Sequence, residues 1–427
     1  MIEDRITVGD KHVAREPSEC QTSASRWPSR SVVSLIPLCI FLFSLPFSHT
    51  VALRLLALFA AAAVAFAGGR IRNTPPVPIK IPLILWAGVA MLSLTWATNP
   101  AYSIGEIRNE IGYSVIAFLT FYSMAGTDRQ WKIINLVLVA SFLAISVVGL
   151  YWFARGYDQV VDAPHGGVGH YSTYLITILP LLMVMCIRLS SGAFRGRLSW
   201  MLIPLLLLDG YGTANRAFWP AVTVSIAVFA ALYALRLQTA RARLRVLGTA
   251  ALIGVLATAV FVEKAKERVS VGLSDMETLD KTIQDDPRLS LWKFVIEQIE
   301  ERPLTGVGFG RGNLGPELTQ RFGSPLIWHG HNIFLNYALQ MGIGGVLVLV
   351  LLFAALAREF WRLYRADDST ASLIGTAGMA LLAGFISKNM TDDFFVRHNA
   401  LIFWSVIGMS LGYGRRRLIN SSRGLCR

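Results

Sequence analysis

The stretch IINLVLVASFLAISVVGLYWFA, from Ile133 to Ala154, decides the fold, because it runs 22 residues without an acid or a base. As an α-helix rising 1.5 Å per residue it would reach about 33 Å. The hydrocarbon core of a bilayer is roughly 30 Å thick. Working outward from it in both directions, eleven further apolar runs appear, near 32–48, 50–68, 81–97, 111–126, 171–187, 199–214, 217–235, 246–262, 332–357, 371–390 and 399–413. Of the 427 residues 54 % are hydrophobic and 16 % charged, and the mean hydropathy is +0.50. A soluble chain carries about 25 % charged residues, so a water-soluble enzyme and an intrinsically disordered protein are both excluded. The expected fold class is an all-α integral membrane protein with about 12 transmembrane helices. Residues 31–413 would form the membrane domain, between a polar, disordered tail over 1–30 and a basic tail over 414–427. No cleavable signal peptide is expected before the first span.

The distribution of charge tests this organisation. With the N-terminus placed in the cytoplasm, 25 of the 40 Lys and Arg fall on the inside segments, but only 9 of the 27 Asp and Glu. That is the positive-inside pattern of a polytopic protein with both termini in the cytoplasm. The net charge of +13 is therefore a topology signal, and nucleic acid drops out as a partner. The four cysteines have no CxxC spacing, so neither a zinc site nor a disulfide framework is indicated.

On this topology residues 263–331 form the one large loop, and it lies outside. Six of the seven histidines lie on the same face: His49, His165, His170, His329, His331 and His398. Insertion alone demands nothing of the kind, so a site at the outer membrane surface is expected. Within the loop, Asp286-Pro287 reads as a helix start. Leu289, Trp292, Val295, Ile296 and Ile299 then recur at helical spacing, and Pro303 closes the segment. The expectation is an amphipathic helix of about four turns lying on the membrane interface. The following Gly306-Val307-Gly308-Phe309-Gly310-Arg311-Gly312 lacks the spacing and the βαβ context of a dinucleotide loop, and reads as a flexible turn.

Three kinds of residue carry candidate chemistry. Arginine near hydrocarbon costs about 2.5–3.5 kcal/mol on insertion scales and normally faces a cavity or a partner. Arg216 is therefore either a structural partner of Asp209, a side chain snorkelling to the interface, or a planar fork for a diphosphate. Arg108 and Arg397, at other outer span ends, could join it, and Arg288 sits in the first turn of the loop helix. His331 is either a polar interface anchor or a general base, since imidazole titrates near neutrality. His329 and His331 are two apart, so as metal ligands they would need a strand and carboxylates such as Asp392 and Asp393. No metal site is expected.

The string Arg288-x-x-x-Trp292, then Arg302-Pro303-Leu304-Thr305-Gly306-Val307-Gly308-Phe309-Gly310, then His331-Asn332-x-Phe334-Leu335 and Met341-Gly342, resembles the O-antigen ligase and polymerase superfamily. Trp96-Ala97-Thr98-Asn99-Pro100 and Thr213-Ala214-Asn215-Arg216-Ala217 also fit, and the resemblance spans most of residues 80–413. It implies a multi-pass protein of the bacterial inner membrane, with a periplasmic loop before the His-Asn segment. The implied activity is glycan transfer from undecaprenyl diphosphate at the periplasmic face, without ATP, nucleotide sugar or other cofactor. A ligase would pass the glycan to lipid A–core; a polymerase would pass it to another lipid-linked repeat. By the same resemblance His331 is the essential histidine, Arg216 and Arg288 hold the diphosphate, and Asn332 would orient the imidazole. Asp392, Asp393 and Arg397 have weaker matches, and His329 is second to His331. A metal-independent, inverting single displacement follows, with His331 as base; the alternative, a double displacement, would need a nucleophilic carboxylate at Asp392 or Asp393. The rival readings are a transporter for a small anion and a non-catalytic scaffold.

Overall fold

A computed structural model describes residues 33–72, 74–155, 164–189, 199–272, 287–323, 327 and 329–422. The proposed tail over 1–30, the helix start at Asp286, Trp328 and the last residues of the basic tail lie outside them. The fold is all-helical, with no strand among the described residues. In chain order the helices are α1 (Ile36–Ser44), α2 (Val51–Ala67), α3 (Lys80–Leu92) and α4 (Pro100–Glu106). A π-helical segment (Ile107–Gly112) then leads into α5 (Tyr113–Met124). The chain continues through α6 (Asp128–Ala154), α7 (Val168–Leu189), α8 (Leu202–Gly212), α9 (Phe218–Arg236), α10 (Ala240–Gly272), α11 (Pro287–Glu301) and α12 (Gly315–Phe322). It closes with α13 (Ile333–Tyr364), α14 (Ser369–Asn389) and α15 (Arg397–Ser422). Each of the twelve apolar runs lies on a helix. Six of these helices, α6, α7, α9, α10, α13 and α14, are long and apolar enough by themselves to cross a membrane, and three shorter ones are apolar. Among the described residues these six are candidate spans, consistent with an integral membrane protein. Some runs fall short because their helices are short or carry charge. Helix α1 has only 9 residues, and the stretch leading into α5 carries Glu106, Arg108 and Glu110.

The bundle packs through small residues. A Cβ at Gly408 would sit 2.5 Å from the Phe118 carbonyl oxygen, and one at Gly412 would sit 2.3 Å from that of Tyr122. Helix α15 therefore lies directly against α5, the small-xxx-small mode of membrane helices. One end of the bundle is basic. Arg415 and Arg362 pair with the buried Glu359 at 2.8 and 2.9 Å, and Arg417 with Asp368 at 2.6 Å. The turns α8–α9 and α14–α15, the start of α13 and the Gly-rich segment meet at the other end.

Helix α13 is broken near its start. Gly342 adopts φ 63° and ψ −161°. The carbonyls of Leu339 and Gln340 would accept bonds from residues 343 and 344 in a continuous helix. Instead they accept from the amides of Val307 and Gly308, both at 2.9 Å, while the Ile343 amide donates to the Pro303 carbonyl at 2.8 Å. The Gly-rich segment is spliced into this break, contrary to the flexible turn expected from its sequence. Backbone at membrane depth must find internal partners, and a segment with little side-chain bulk can reach into a helix to supply them. A Cβ at Gly308 (φ 100°) would lie 2.4 Å from that of Ala97. Trp96 Nε1 donates to the Thr305 carbonyl at 2.6 Å, and the Gly310 amide donates to Gln340 Oε1 at 2.7 Å.

Gly342→Ala is expected to destabilise the whole bundle. The new Cβ would meet the Leu304 carbonyl at 2.4 Å in a left-handed conformation. Overpacking costs about 1–3 kcal/mol, and the left-handed backbone adds about 1–2. A melting curve of the detergent-solubilised protein would show it, and an unchanged midpoint would count against the break.

Candidate functional site

Helix α11 forms where the heptad-like apolar spacing led, but its buried face differs. Leu291, Phe294 and Val295 are buried against Val307, Leu318 and Leu339 in a small core of their own. Leu289 and Ile296, expected on the membrane face, are 43 % and 44 % exposed, as a lipid-facing position requires, whereas Val295, expected on the same face, is buried. The helix is docked onto the rest of the chain through that core. Trp292 ties it down by donating Nε1 to the Gly330 carbonyl at 2.9 Å, so the loop helix braces the segment that carries His331.

His331 is held just before α13 with φ 48°, a conformation uncommon for a residue with a side chain. Its amide donates to His329 Nδ1 at 3.1 Å, and the two rings lie 4.0 Å apart. The side chain of His331 is 18 % exposed, whereas His329 is buried beneath it. Burial, and then the neighbouring His331 and the positive charge of Arg311, push His329 well below the usual histidine value, so it is neutral. His329 thus supports the loop from below.

The partner of the His331 ring is Asp392. Nδ1 lies 3.4 Å from Asp392 Oδ1. The other carboxylate oxygen accepts from Asn215 Nδ2 at 2.8 Å and from Lys388 Nζ at 2.9 Å. Burial would raise the Asp392 carboxyl. Lys388, with the hydrogen bonds from His331 and Asn215, outweighs it and holds the group well below the usual carboxylate range. Asp392 is therefore an anion at neutral pH. Its contribution to stability is present above the ordinary carboxylate value near ~3.9 and is lost only as pH falls through the depressed native value. In a neutral ring, a carboxylate at Nδ1 favours the tautomer with its proton on that nitrogen, which leaves the basic lone pair on Nε2.

Asn332, expected to orient the imidazole, does something else. Its side-chain oxygen accepts from the amides of Phe334 and Leu335 at 2.9 and 3.1 Å, and its nitrogen donates to the Met390 carbonyl at 2.8 Å. It is the N-cap of α13, and it staples that helix start to the loop before Asp392. Asp393 is likewise structural. Its carboxylate binds Arg311 at 2.9 Å and Asn336 at 2.6 Å, and Arg311 also donates to its carbonyl at 2.5 Å. The adjacent carboxylates point to different partners because successive loop residues leave the backbone in different directions.

The arginines divide as well. Arg216 follows Asn215 directly in the α8–α9 turn and is half-buried. The structural pairing with Asp209 does not form; Asp209 instead accepts from Ser146 Oγ at 2.5 Å. Arg288, in the first turn of α11, is half-buried and near enough to Lys388 for its charge to act there. Arg397 (φ 48°) is exposed, and its charge acts on the pair His170 and His398, whose rings are tilted by 32° with centroids 4.4 Å apart. Arg108 is exposed and donates to its neighbour Asn109 at 3.3 Å, so it is not brought to His331. Among the described residues no group of three or more His, Cys, Asp or Glu side chains is placed to hold a metal ion. Sequence reasoning missed Lys388, Asn215 and Arg311. The i,i+4 spacing of Lys388 and Asp392 was the one signal available for the first.

An all-helical membrane protein with a histidine–carboxylate–lysine cluster where several helix ends converge is the class that fold and site define. Residues 200–350 match the family model described as O-antigen ligase, and over this segment the chain carries the features of the O-antigen ligase and polymerase superfamily. That segment contains Arg216, Arg288 and His331; Lys388 and Asp392 lie beyond it. No curated protein matches the chain. The family match implies a glycosyl-transferring enzyme acting in O-antigen biosynthesis.

Proposed function

We propose that this protein transfers a glycan from undecaprenyl diphosphate to an acceptor hydroxyl at the periplasmic face of the bacterial inner membrane. The acceptor of the ligase reading is lipid A–core; a second lipid-linked repeat would make the protein a polymerase. The observation that carries the reading is the arrangement around His331. Its ring is partly open to solvent, and its Nδ1 faces a carboxylate kept ionised by a buried lysine. A hydroxyl is a poor nucleophile until its proton is removed, and a histidine so oriented can remove it as the new glycosidic bond forms. The bond from the anomeric carbon to the diphosphate oxygen breaks in the same step. Arg216 and Arg288 neutralise the charge that develops on the leaving diphosphate. A single displacement of this kind inverts the anomeric centre. The proposed topology has twelve spans, both termini cytoplasmic and the site end periplasmic; the basic opposite end supports it.

The test is transfer by purified protein from a lipid diphosphate-linked glycan, followed by mass change of the acceptor. Transfer should proceed without ATP and in EDTA. Arg216→Lys keeps the charge but loses the two-pronged geometry. It should stay roughly 10-fold or more below wild type, a loss of about 1.4 kcal/mol. Full activity of Arg216→Lys, or a metal requirement restored after chelation, would contradict the mechanism.

A further inference from the structure

A groove of about 830 Å³ runs between α9 and α10, and His331 is not among the residues that line it. It is lined by Thr223 on α9 and by Ala251, Gly254, Val255, Ala259 and Val262 on α10, with Glu263 also on its wall. The lining is small and apolar, which leaves a smooth channel. Helix α10 is barely covered by the rest of the chain, with 6 % of its most apolar window buried.

The register of the two helices places the groove against the proposed site. A Cβ on Gly254 would lie 3.4 Å from Thr223 Cγ2, so these positions face each other. The helices are antiparallel, being joined through the short link 237–239. Seven residues back from Thr223 is Arg216; seven residues on from Gly254 is Phe261. Arg216, in the turn two residues before α9, therefore lies near the end of the groove marked by Val262 and Glu263. From there the groove descends to Ala251, a span of about 18 Å at 1.5 Å per residue. That exceeds half the roughly 30 Å hydrocarbon core, so the groove covers one leaflet from its interface towards the midplane.

The geometry points to this groove as the seat of the donor's polyisoprenyl chain. The inference rests on the glycan-transfer reading, since it takes Arg216 to hold the diphosphate at the head of that chain. A diphosphate bound at Arg216 must send its tail into the same leaflet at the same place. The groove there offers an apolar bed open to the lipid, which a chain can enter sideways without crossing the protein. The chain comes from lipid and not from water, so what the groove adds is close packing against small side chains and not a hydrophobic transfer. Chain length should therefore matter to binding and not to chemistry.

The experiment compares glycosyl diphosphate donors carrying a long polyisoprenyl chain or a farnesyl chain, using the full-length protein in nanodiscs. Wild type should show a lower KM for the long chain at similar kcat. Ala259→Trp and, separately, Ala251→Trp fill the groove from a lipid-exposed position and should erase most of that preference. The expected rise in long-chain KM is roughly tenfold, about 1.4 kcal/mol. Leu252→Trp, on α10 but outside the groove, should keep the wild-type preference. A parallel measurement follows binding of a labelled long-chain polyisoprenyl diphosphate, with phosphatidylglycerol as competitor. Filling variants that keep the chain-length preference, or equal competition by the diacyl lipid, would overturn the groove assignment. Chain-dependent binding without any transfer by wild type would leave the groove standing and sink the transfer reading instead.

Discussion

Replacing His331 by alanine is expected to cut glycan transfer by roughly 10²–10⁴-fold, the usual size of a general-base contribution. The protein should still insert and still bind lipid-linked donor, because the imidazole is a partly exposed group whose removal leaves no buried charge unpaired. Asp392 keeps Lys388 and Asn215 when the ring is gone. His329→Ala is the discriminating control. His329 is buried, neutral and bonded to the His331 amide, so its loss should loosen the loop and cost activity only in part. Single-turnover transfer by the two variants, with donor binding measured separately, gives the comparison. Equal losses would assign the pair a joint structural role, and near-normal transfer by His331→Ala would remove the base. Asp392→Asn is a poorer probe, since it also strips the partner from Lys388, whose side chain is 0 % exposed.

The second large effect concerns Arg311, which should matter for folding more than for chemistry. Its guanidinium is 4 % exposed and binds both the carboxylate and the carbonyl of Asp393. Removing one partner of a buried pair leaves an uncompensated charge, at a cost of about 3–5 kcal/mol. Arg311→Met is therefore expected to lower the yield of folded protein and its thermal midpoint sharply. Arg311→Met combined with Asp393→Asn should recover part of that loss, because no charge is then stranded. Temperature-dependent light scattering of the solubilised variants would read both. A stable Arg311→Met protein with weakened donor binding would instead move Arg311 into the substrate site.

The contrast between these two residues shows what could be read along the chain. His331 was legible because six of the seven histidines fall on the outer face, which insertion does not demand, and because the family resemblance singles it out among them. Arg216 was legible through the cost of placing a guanidinium near hydrocarbon. Arg311 was hidden inside Gly306–Gly312, where alternating glycines read as a loose turn. The same glycines are in fact what allow the segment to enter the break at Gly342 and to satisfy the carbonyls of Leu339 and Gln340. Asn332 was given to the imidazole along with the family resemblance. A side chain followed by a helix is more often its cap, and the amides of Phe334 and Leu335 claim it.

By itself the sequence determined which segments could enter a bilayer, which bundle end would be basic, and that His331 and Arg216 would lie at the opposite end. Those properties are local sums: apolar length, charge per loop, and residue type beside a span. Only the tertiary structure decided that Asp392 serves His331 while Asp393 serves Arg311, and that Lys388 keeps Asp392 ionised. His331 and Arg311 lie 61 and 82 residues away from their carboxylates, and only Lys388, four residues from Asp392, is close in the chain. A buried charge is tolerable or ruinous according to which opposite charge lies within about 4 Å of it, and that distance exists only once the helices have packed.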